Sequence, residues 1–348
     1  MNNSPDSNKL ISIIIPCHNC SETVYRTWKS VTNQSIGINH IECIFVDDAS
    51  NDNGKTWEQL ENIEKEAPKS VIIIKLNDNL KQGGARNVGL TYTNGKYLQF
   101  LDSDDELVPS SCELLYTTAE KNNADIIQFN HLYVLNEQTK IMRDSDINRT
   151  FTINKPEDRI PFLNSTIVTY GCTNKFYRKS LIEKSMAKFA ENAVYEEPLF
   201  VYPCFLYANT ITLLDEALYK YYFHSGSTVT SAIGKRLLDH PRVQLELLQY
   251  CMQRPVIYEQ YRDVISLYFL WSYYCETLSF SAANNTYIPI DYFREMQNIC
   301  RTLFPEWENN PLINTVSENV RQVLKSINDT YSSQNELNSF ISTVKNII

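Results

Sequence analysis

Residues 95–109 run GKYLQFLDSDDELVP. Tyr97 to Leu101 is a short apolar run, and Asp102-Ser103-Asp104-Asp105 follows it without a break. An apolar run of this length bounded by turn residues reads as a buried strand. Upstream the layout repeats. ISIII at 11–15 stops at Pro16, IECIFV at 41–46 stops at Asp47-Asp48-Ala49-Ser50-Asn51-Asp52, and VIII at 71–74 is a third run. Their β-branched residues favour strands. Helical patterns lie between them: 21–34 with Ser21 as its cap, 55–66 stopping near Pro68, 84–93 ending near Gly95, and 110–122. A strand over 125–134 completes the series.

Strands alternating with helices predict an α/β fold, a Rossmann-like, mostly parallel sheet flanked by helices. Continuously apolar strands, buried on both faces, fit that class. Open sheets of this kind bind ligands beyond the carboxyl ends of their strands. Pro16 to Asn19, Asp47 to Ser50 and Asp102 to Asp105 are therefore expected on one rim. Downstream, 136–160 is polar and reads as a loop, 161–229 is mixed and aromatic, and a helical region begins near 234. Val264, Tyr268, Trp271, Cys275 and Leu278 make an apolar helix stripe. Further helices are expected over 290–303, 312–326 and 335–346. The division this implies is a flexible N-terminus over 1–9, a first domain over 10–230 and a helical C-terminal region over 231–348.

Composition narrows the function. The chain has 348 residues, 41 acidic and 32 basic side chains, a net charge of −9 and a pI near 5.2. That balance argues against a nucleic-acid binder, which needs clustered Lys and Arg. Hydrophobic residues at 43% suffice for a sizeable core. No run of 18 apolar residues exists, so no membrane-spanning helix is expected. The N-terminus does not read as a signal peptide. Nine scattered cysteines then read as reduced thiols in a cytoplasmic protein. Cys17-His18-Asn19-Cys20 has no second pair to complete a zinc site.

Several residues could carry chemistry. Asp102 and Asp104 can both face one cation, and oxygen ligands suit Mg²⁺ or Mn²⁺. They can equally form a solvated turn capping the helix near Ser110. Asp47 and Asp48 either cap the next helix or bond a nucleoside base or ribose. Gly83-Gly84-Ala85-Arg86-Asn87 is either a glycine-bearing turn or a phosphate seat at a helix start. It lacks the ending of a P-loop. Glu196-Glu197, set among apolar residues before Pro198, is either a helix start or a carboxylate tuned by burial toward base work. His224 is a ligand, a phosphate donor or structural. The aromatic run around Tyr268, Phe269, Trp271, Tyr273 and Tyr274 is most simply core. It could otherwise be an acceptor platform, a dimer surface or a seat on a lipid carrier.

In order, ISIIIPCHN, SVTNQS, IECIFVDDASND, GGARNVGL, GKYLQFLDSDDELVP, TNKFYRKSLI, YEEPLF and YKYYFHSGSTV resemble the family 2 glycosyltransferases with the GT-A fold, over about residues 10–228. The resemblance implies a nucleotide-sugar donor, a UDP-sugar first. It also implies Mn²⁺ or Mg²⁺ and inversion at the anomeric carbon. The acceptor would be a glycan, a lipid-linked group or a protein, in bacterial polysaccharide or surface-glycan synthesis. Peripheral contact with the inner face of the membrane and a homo-oligomer through the C-terminal helices are compatible with it. By position, Pro16, His18 and Asn19 would line the nucleobase pocket, Asp48 would bond base or ribose, and Arg86 would meet the nucleotide or its pyrophosphate. Asp102 and Ser103 would touch the donor. Asp102 and Asp104 would form the metal-binding D-x-D, Asp104 the more direct ligand, with His224 near the diphosphate and metal. Glu196 and Glu197 stand at the pair that supplies the general base. Residues 10–135 would form the nucleotide half and 136–230 the acceptor and catalytic half.

Three departures from the family pattern stand out. Ala49 replaces a glycine, Gly37 to His40 lengthens a turn, and Glu197, followed by Pro198, replaces an aspartate. The last leaves both Glu196 and Glu197 open as the base. A nucleotidyltransferase would carry a glycine-rich basic loop where Pro16-Cys17-His18-Asn19 stands. A catalytically silent nucleotide-sugar-binding protein would not need Asp102, Asp104 and Glu197 intact.

Overall fold

The computed structural model describes residues 9–136, 138–223 and 236–344. Among them a ten-stranded sheet runs in the order β3-β2-β1-β4-β9-β6-β10-β5, with β7 on β6 and β8 on β10. The strands are β1 Ile11–Cys17, β2 Ile41–Asp47, β3 Val71–Lys75, β4 Tyr97–Phe100, β5 Glu106–Leu107, β6 Ile126–Leu135, β7 Gln138–Met142, β8 Arg149–Thr152, β9 Lys175–Arg178 and β10 Thr210–Tyr222. Helices α1 Val24–Thr32, α2 Lys55–Glu66, α3 Lys81–Leu90 and α4 Ser111–Asn122 alternate with the early strands.

β1 and β2 are buried at every position and pair in parallel from Ile11↔Ile41 to Cys17↔Asp47. β1–β4 and β2–β3 are also parallel. The expected α/β architecture therefore holds, and the carboxyl ends of β1, β2 and β4 share one rim. Helices cover the strands as their apolar spacing requires. α2 buries Thr56, Leu60 and Ile63, and the Trp28 ring of α1 meets Phe45 edge-on at 6.2 Å. A Cβ on Gly89 of α3 would lie 2.5 Å from Ile14 Cγ2, so the glycine sets how closely α3 lies on β1.

The structure differs from the sequence reading at several places. Residues 136–160 are not a plain loop, because β7 and β8 lie there. The β7 side chains are all exposed, so that strand shows no alternation of apolar and polar residues. β9, only four residues long, enters antiparallel between β4 and β6. α1 begins at Val24 rather than 21, so Ser21 is not its cap. α3 begins at Lys81, which places Gly83 and Gly84 inside its first turn.

The chain divides into two compact units. One holds Met1–Arg159, Ser165–Asn192 and Glu196–His224, and the other Ile160–Asn164, Ala193–Tyr195 and Ser225–Ile348. The second is helical, with Asp239–Met252, Pro255–Phe269, Thr277–Ala283, Ile290–Leu303, Glu318–Lys325 and Gln334–Val344. Tyr268, Phe269, Tyr273 and Tyr274 are buried in its core, Phe269 stacked on Tyr273 at 4.7 Å. Those rings pack the unit. All nine cysteines are free and buried. Among the described residues no helix is long and apolar enough to cross a membrane.

Candidate active site

At the ends of β1 and β2 the chain turns through two left-handed residues, Asn19 and Ala49, both at φ 52°. Pro16 is buried inside β1, whereas His18 and Asn19 are exposed. His18 Nδ1 lies 2.8 Å from the Asp48 carbonyl. Asn79 Nδ2 also approaches Nδ1 at 3.2 Å, and Nε2 lies 3.1 Å from Asn19 Nδ2. Asn19 is fixed in turn by Ser50 and Asn51. Asp48 Oδ1 accepts the Leu80 amide at 2.6 Å, and burial raises its carboxyl above the ordinary range. Asp47 Oδ1 accepts the Ser50 amide at 3.0 Å. Neither aspartate caps α2. Asp52 does, accepting from the Thr56 amide and hydroxyl.

Arg86 sits in α3 with 2% of its side chain exposed. Its Nη1 donates to Glu196 Oε1 at 2.6 Å and its Nη2 to Asp102 Oδ1 at 2.8 Å. The guanidinium's hydrogen bonds go to these two carboxylates, and it also lies over the Phe189 ring at 5.3 Å. One cation therefore ties the loop after β4 to the segment carrying Glu196 and Glu197. Gly83 of α3 serves this packing: a Cβ there would fall 2.2 Å from the Ala190 carbonyl oxygen and 2.9 Å from Glu196 Cγ, while one on Gly84 would meet Leu80 Cβ at 2.3 Å.

Asp102 keeps 21% of its side chain exposed. The loop behind it hangs from β10. Tyr219 Oη donates to Asp105 Oδ2 at 2.7 Å and accepts from the Asp102 amide at 3.1 Å, and the Tyr222 amide donates to Asp105 Oδ1 at 2.8 Å. Burial, with the charges of Asp102 and Asp104 beside it, pushes Asp105 up to about 8. Asp105 thus anchors the loop that carries Asp102 and Asp104. The acidic run does not cap α4, because β5 intervenes. Two carboxylates completed by a diphosphate and water match how Mg²⁺ is commonly held. Among the described residues no group of three or more His, Cys, Asp or Glu could hold a metal by itself. His224 lies outside the described residues.

Glu196 and Glu197 part company at the helix Pro198–Tyr207. Glu196 is buried against Arg86, and burial pushes it up to about 7 against the pull of that cation. Glu197 is half-buried, at the N-cap position, and its Oε1 accepts the Cys172 amide at 2.7 Å. The segment that supplies this amide is heavily tied. Buried Lys175 donates to the Gly171 carbonyl at 2.6 Å and to Asn174 Oδ1 at 2.8 Å, and Asn174 Nδ2 donates to Asp144 Oδ2 at 2.9 Å. Burial lowers Lys175 to about 8. Tyr195, just before Glu196, holds φ 66°, an outlier for an aromatic residue.

Sequence reasoning did not single out Lys175, His131, Asp105 or Tyr219. Lys175 lies in the quoted TNKFYRKSLI, Asp105 in the acidic run and Tyr219 in YKYYFHSGSTV, so the segments were visible though the roles were not. His131 carried no signal beyond its residue type.

A family model described as Glycosyl transferase family 2 matches residues 12–186. The chain is 28% identical over 279 residues to the cholesterol galactosyltransferase of Borreliella burgdorferi, which spans 76% of this chain and 73% of that protein. It is 28% identical over 216 residues to the poly(ribitol-phosphate) beta-N-acetylglucosaminyltransferase TarP of Staphylococcus aureus, 62% of each chain. Among solved structures, S. aureus TarS 1–349 in complex with UDP-GlcNAc matches with a TM-score of 0.68 at 18% identity, covering 97% of this chain and 90% of that one. This last likeness is one of fold.

Proposed function

The chain belongs to glycosyl transferase family 2, and from that premise we propose that it moves a sugar from a UDP-sugar to an acceptor hydroxyl with inversion, in surface-glycan synthesis. TarS was solved with UDP-GlcNAc and TarP is named as a poly(ribitol-phosphate) beta-N-acetylglucosaminyltransferase, which supports this choice of donor and a polymer acceptor. The observation that carries the site is the Arg86 bridge, which brings Asp102 and Glu196 to one guanidinium from 94 positions apart in sequence (196 less 102).

In this reading residues 10–135 hold the nucleotide and 136–230 supply the base and the acceptor side. His18 and Asn19 form the exposed edge of the nucleobase pocket, with Pro16 beneath them. Asp48, held by the Leu80 and Lys81 amides, would meet ribose or base through its carboxylate. Asp102 and Asp104, flanking Ser103 at the donor, would hold Mg²⁺ or Mn²⁺. Bound there, the cation would offset charge on the departing nucleoside diphosphate.

Glu197 is the general base. Glu196 is committed to Arg86, while Glu197 takes the Cys172 amide and thiol and remains half-buried. The acceptor oxygen attacks the anomeric carbon, the bond to the diphosphate breaks, and the acceptor proton passes to Glu197. A single displacement inverts the centre. Arg86 is a positioning residue that fixes both carboxylate loops, in place of the donor contact the resemblance implied. The test is nucleotide release from a panel of nucleotide-sugars with Mn²⁺, comparing wild type with Glu197→Gln and Glu196→Gln. Release that persists in Glu197→Gln and vanishes only in Glu196→Gln would reverse the assignment.

A further inference from the structure

β6 and β10 pair in parallel, with Tyr219 opposite His131 and Tyr221 opposite Tyr133. The rings meet across the strands. His131 packs edge-on to Tyr219 at 5.3 Å, and Tyr133 lies against Tyr221 at 5.0 Å. The next alternate positions are Leu135 and Phe223, and the Phe223 amide continues the pairing to the Val134 carbonyl. Alternate residues share one face of a strand, and successive rows lie about 6.6 Å apart.

This ladder starts at the reacting end. Tyr219 is fully buried and bonded to Asp105 and to the Asp102 amide. Exposure grows outward, through half-buried Tyr133 and Tyr221 to Phe223 at 44%. His131 joins it to the base. Its Nδ1 pairs with Asp144 Oδ2 at 3.1 Å, and its Nε2 lies 3.2 Å from the hydroxyl of Thr173, the residue after the Cys172 that holds Glu197. Asp144 and Asp105 act on Tyr133, Asp102, Asp104 and Asp105 act on Tyr221, and Lys140 of β7 pairs opposite Tyr133, so both signs of charge border the rings. Rings with polar rims suit a neutral, hydroxyl-rich ligand.

We propose that Tyr133, Tyr221 and Phe223, reached from the reacting end past His131, form an acceptor subsite for a neutral saccharide ring, an inference that rests on the glycosyl-transfer reading above. The test is saturation-transfer NMR on the full chain, with cellobiose and chitobiose as probes and UDP binding measured in parallel. The wild type should saturate the ring protons of at least one disaccharide. Tyr133→Leu and Tyr221→Leu should weaken that binding about tenfold each, and Tyr133→Phe and Tyr221→Phe should retain it. Phe223→Leu, at an exposed position, decides the matter if an inner variant fails to fold. A wild type that binds UDP but neither disaccharide overturns the subsite, as do leucine variants that bind like wild type. A protein that binds disaccharide but no UDP would count against the donor reading and leave the subsite standing.

Discussion

Glu196 and Glu197 are neighbours in sequence with opposite surroundings, and no sequence pattern sorts them. The sorting comes from Arg86, 110 residues upstream of Glu196. Glu197→Gln should lower turnover about 10²-fold or more with donor affinity little changed. Glu196→Gln should mainly destabilise, since it leaves a buried cation with one partner fewer, at a cost of about 3 kcal/mol. Thermal melts beside turnover numbers check both. Lys175 gives a pH signature. Its ordinary value is 10.5 and burial lowers it to about 8. Between those values the unfolded chain binds the extra proton, so this group's contribution to stability rises with pH, and the burial penalty is fully present below pH 8. Measured against Lys175→Met by denaturant unfolding, the wild type should gain about 2 kcal/mol from pH 8 to 10. A flat difference would show that the lysine is not buried with its charge.

At the scale of elements, β1, β2, α2 and the helix Ile290–Leu303 were legible because burial on one or both faces writes a period into the sequence. β7 and β8 were not, because exposed marginal strands need no apolar alternation. β9 was too short to carry a pattern. The D-x-D loop was legible as chemistry, but its support was not, because Tyr219 acts from a strand more than a hundred residues away. Tyr219→Phe should loosen that loop by leaving Asp105 one partner short, costing about 1–3 kcal/mol in unfolding experiments and lowering the affinity for Mn²⁺. Gly83→Ala should act through packing. Its Cβ would meet the Ala190 carbonyl and Glu196, so a loss of about 1–3 kcal/mol is expected together with reduced turnover. An unchanged protein would mean that α3 does not seat the Glu196 segment.

Over the whole molecule, the match across residues 12–186 covers the strands of the nucleotide side and β9, while the helical second unit carries no motif that names its task. Of the aromatic residues that stood out there in the sequence, Tyr268, Phe269, Tyr273 and Tyr274 are core and Trp271 is half-buried. The ladder of partly exposed rings lies on β6 and β10, where its members are scattered through two distant segments and meet through strand pairing. The account rests on carboxylates from both segments converging on one activated sugar. The most direct measurement is single-turnover release of UDP from UDP-sugars with Mn²⁺, in wild type and Glu197→Gln, with UDP-sugar binding measured in both. Release by wild type, about 10²-fold slower release by the variant and equal donor binding are predicted. Equal release rates in the two proteins would contradict the account.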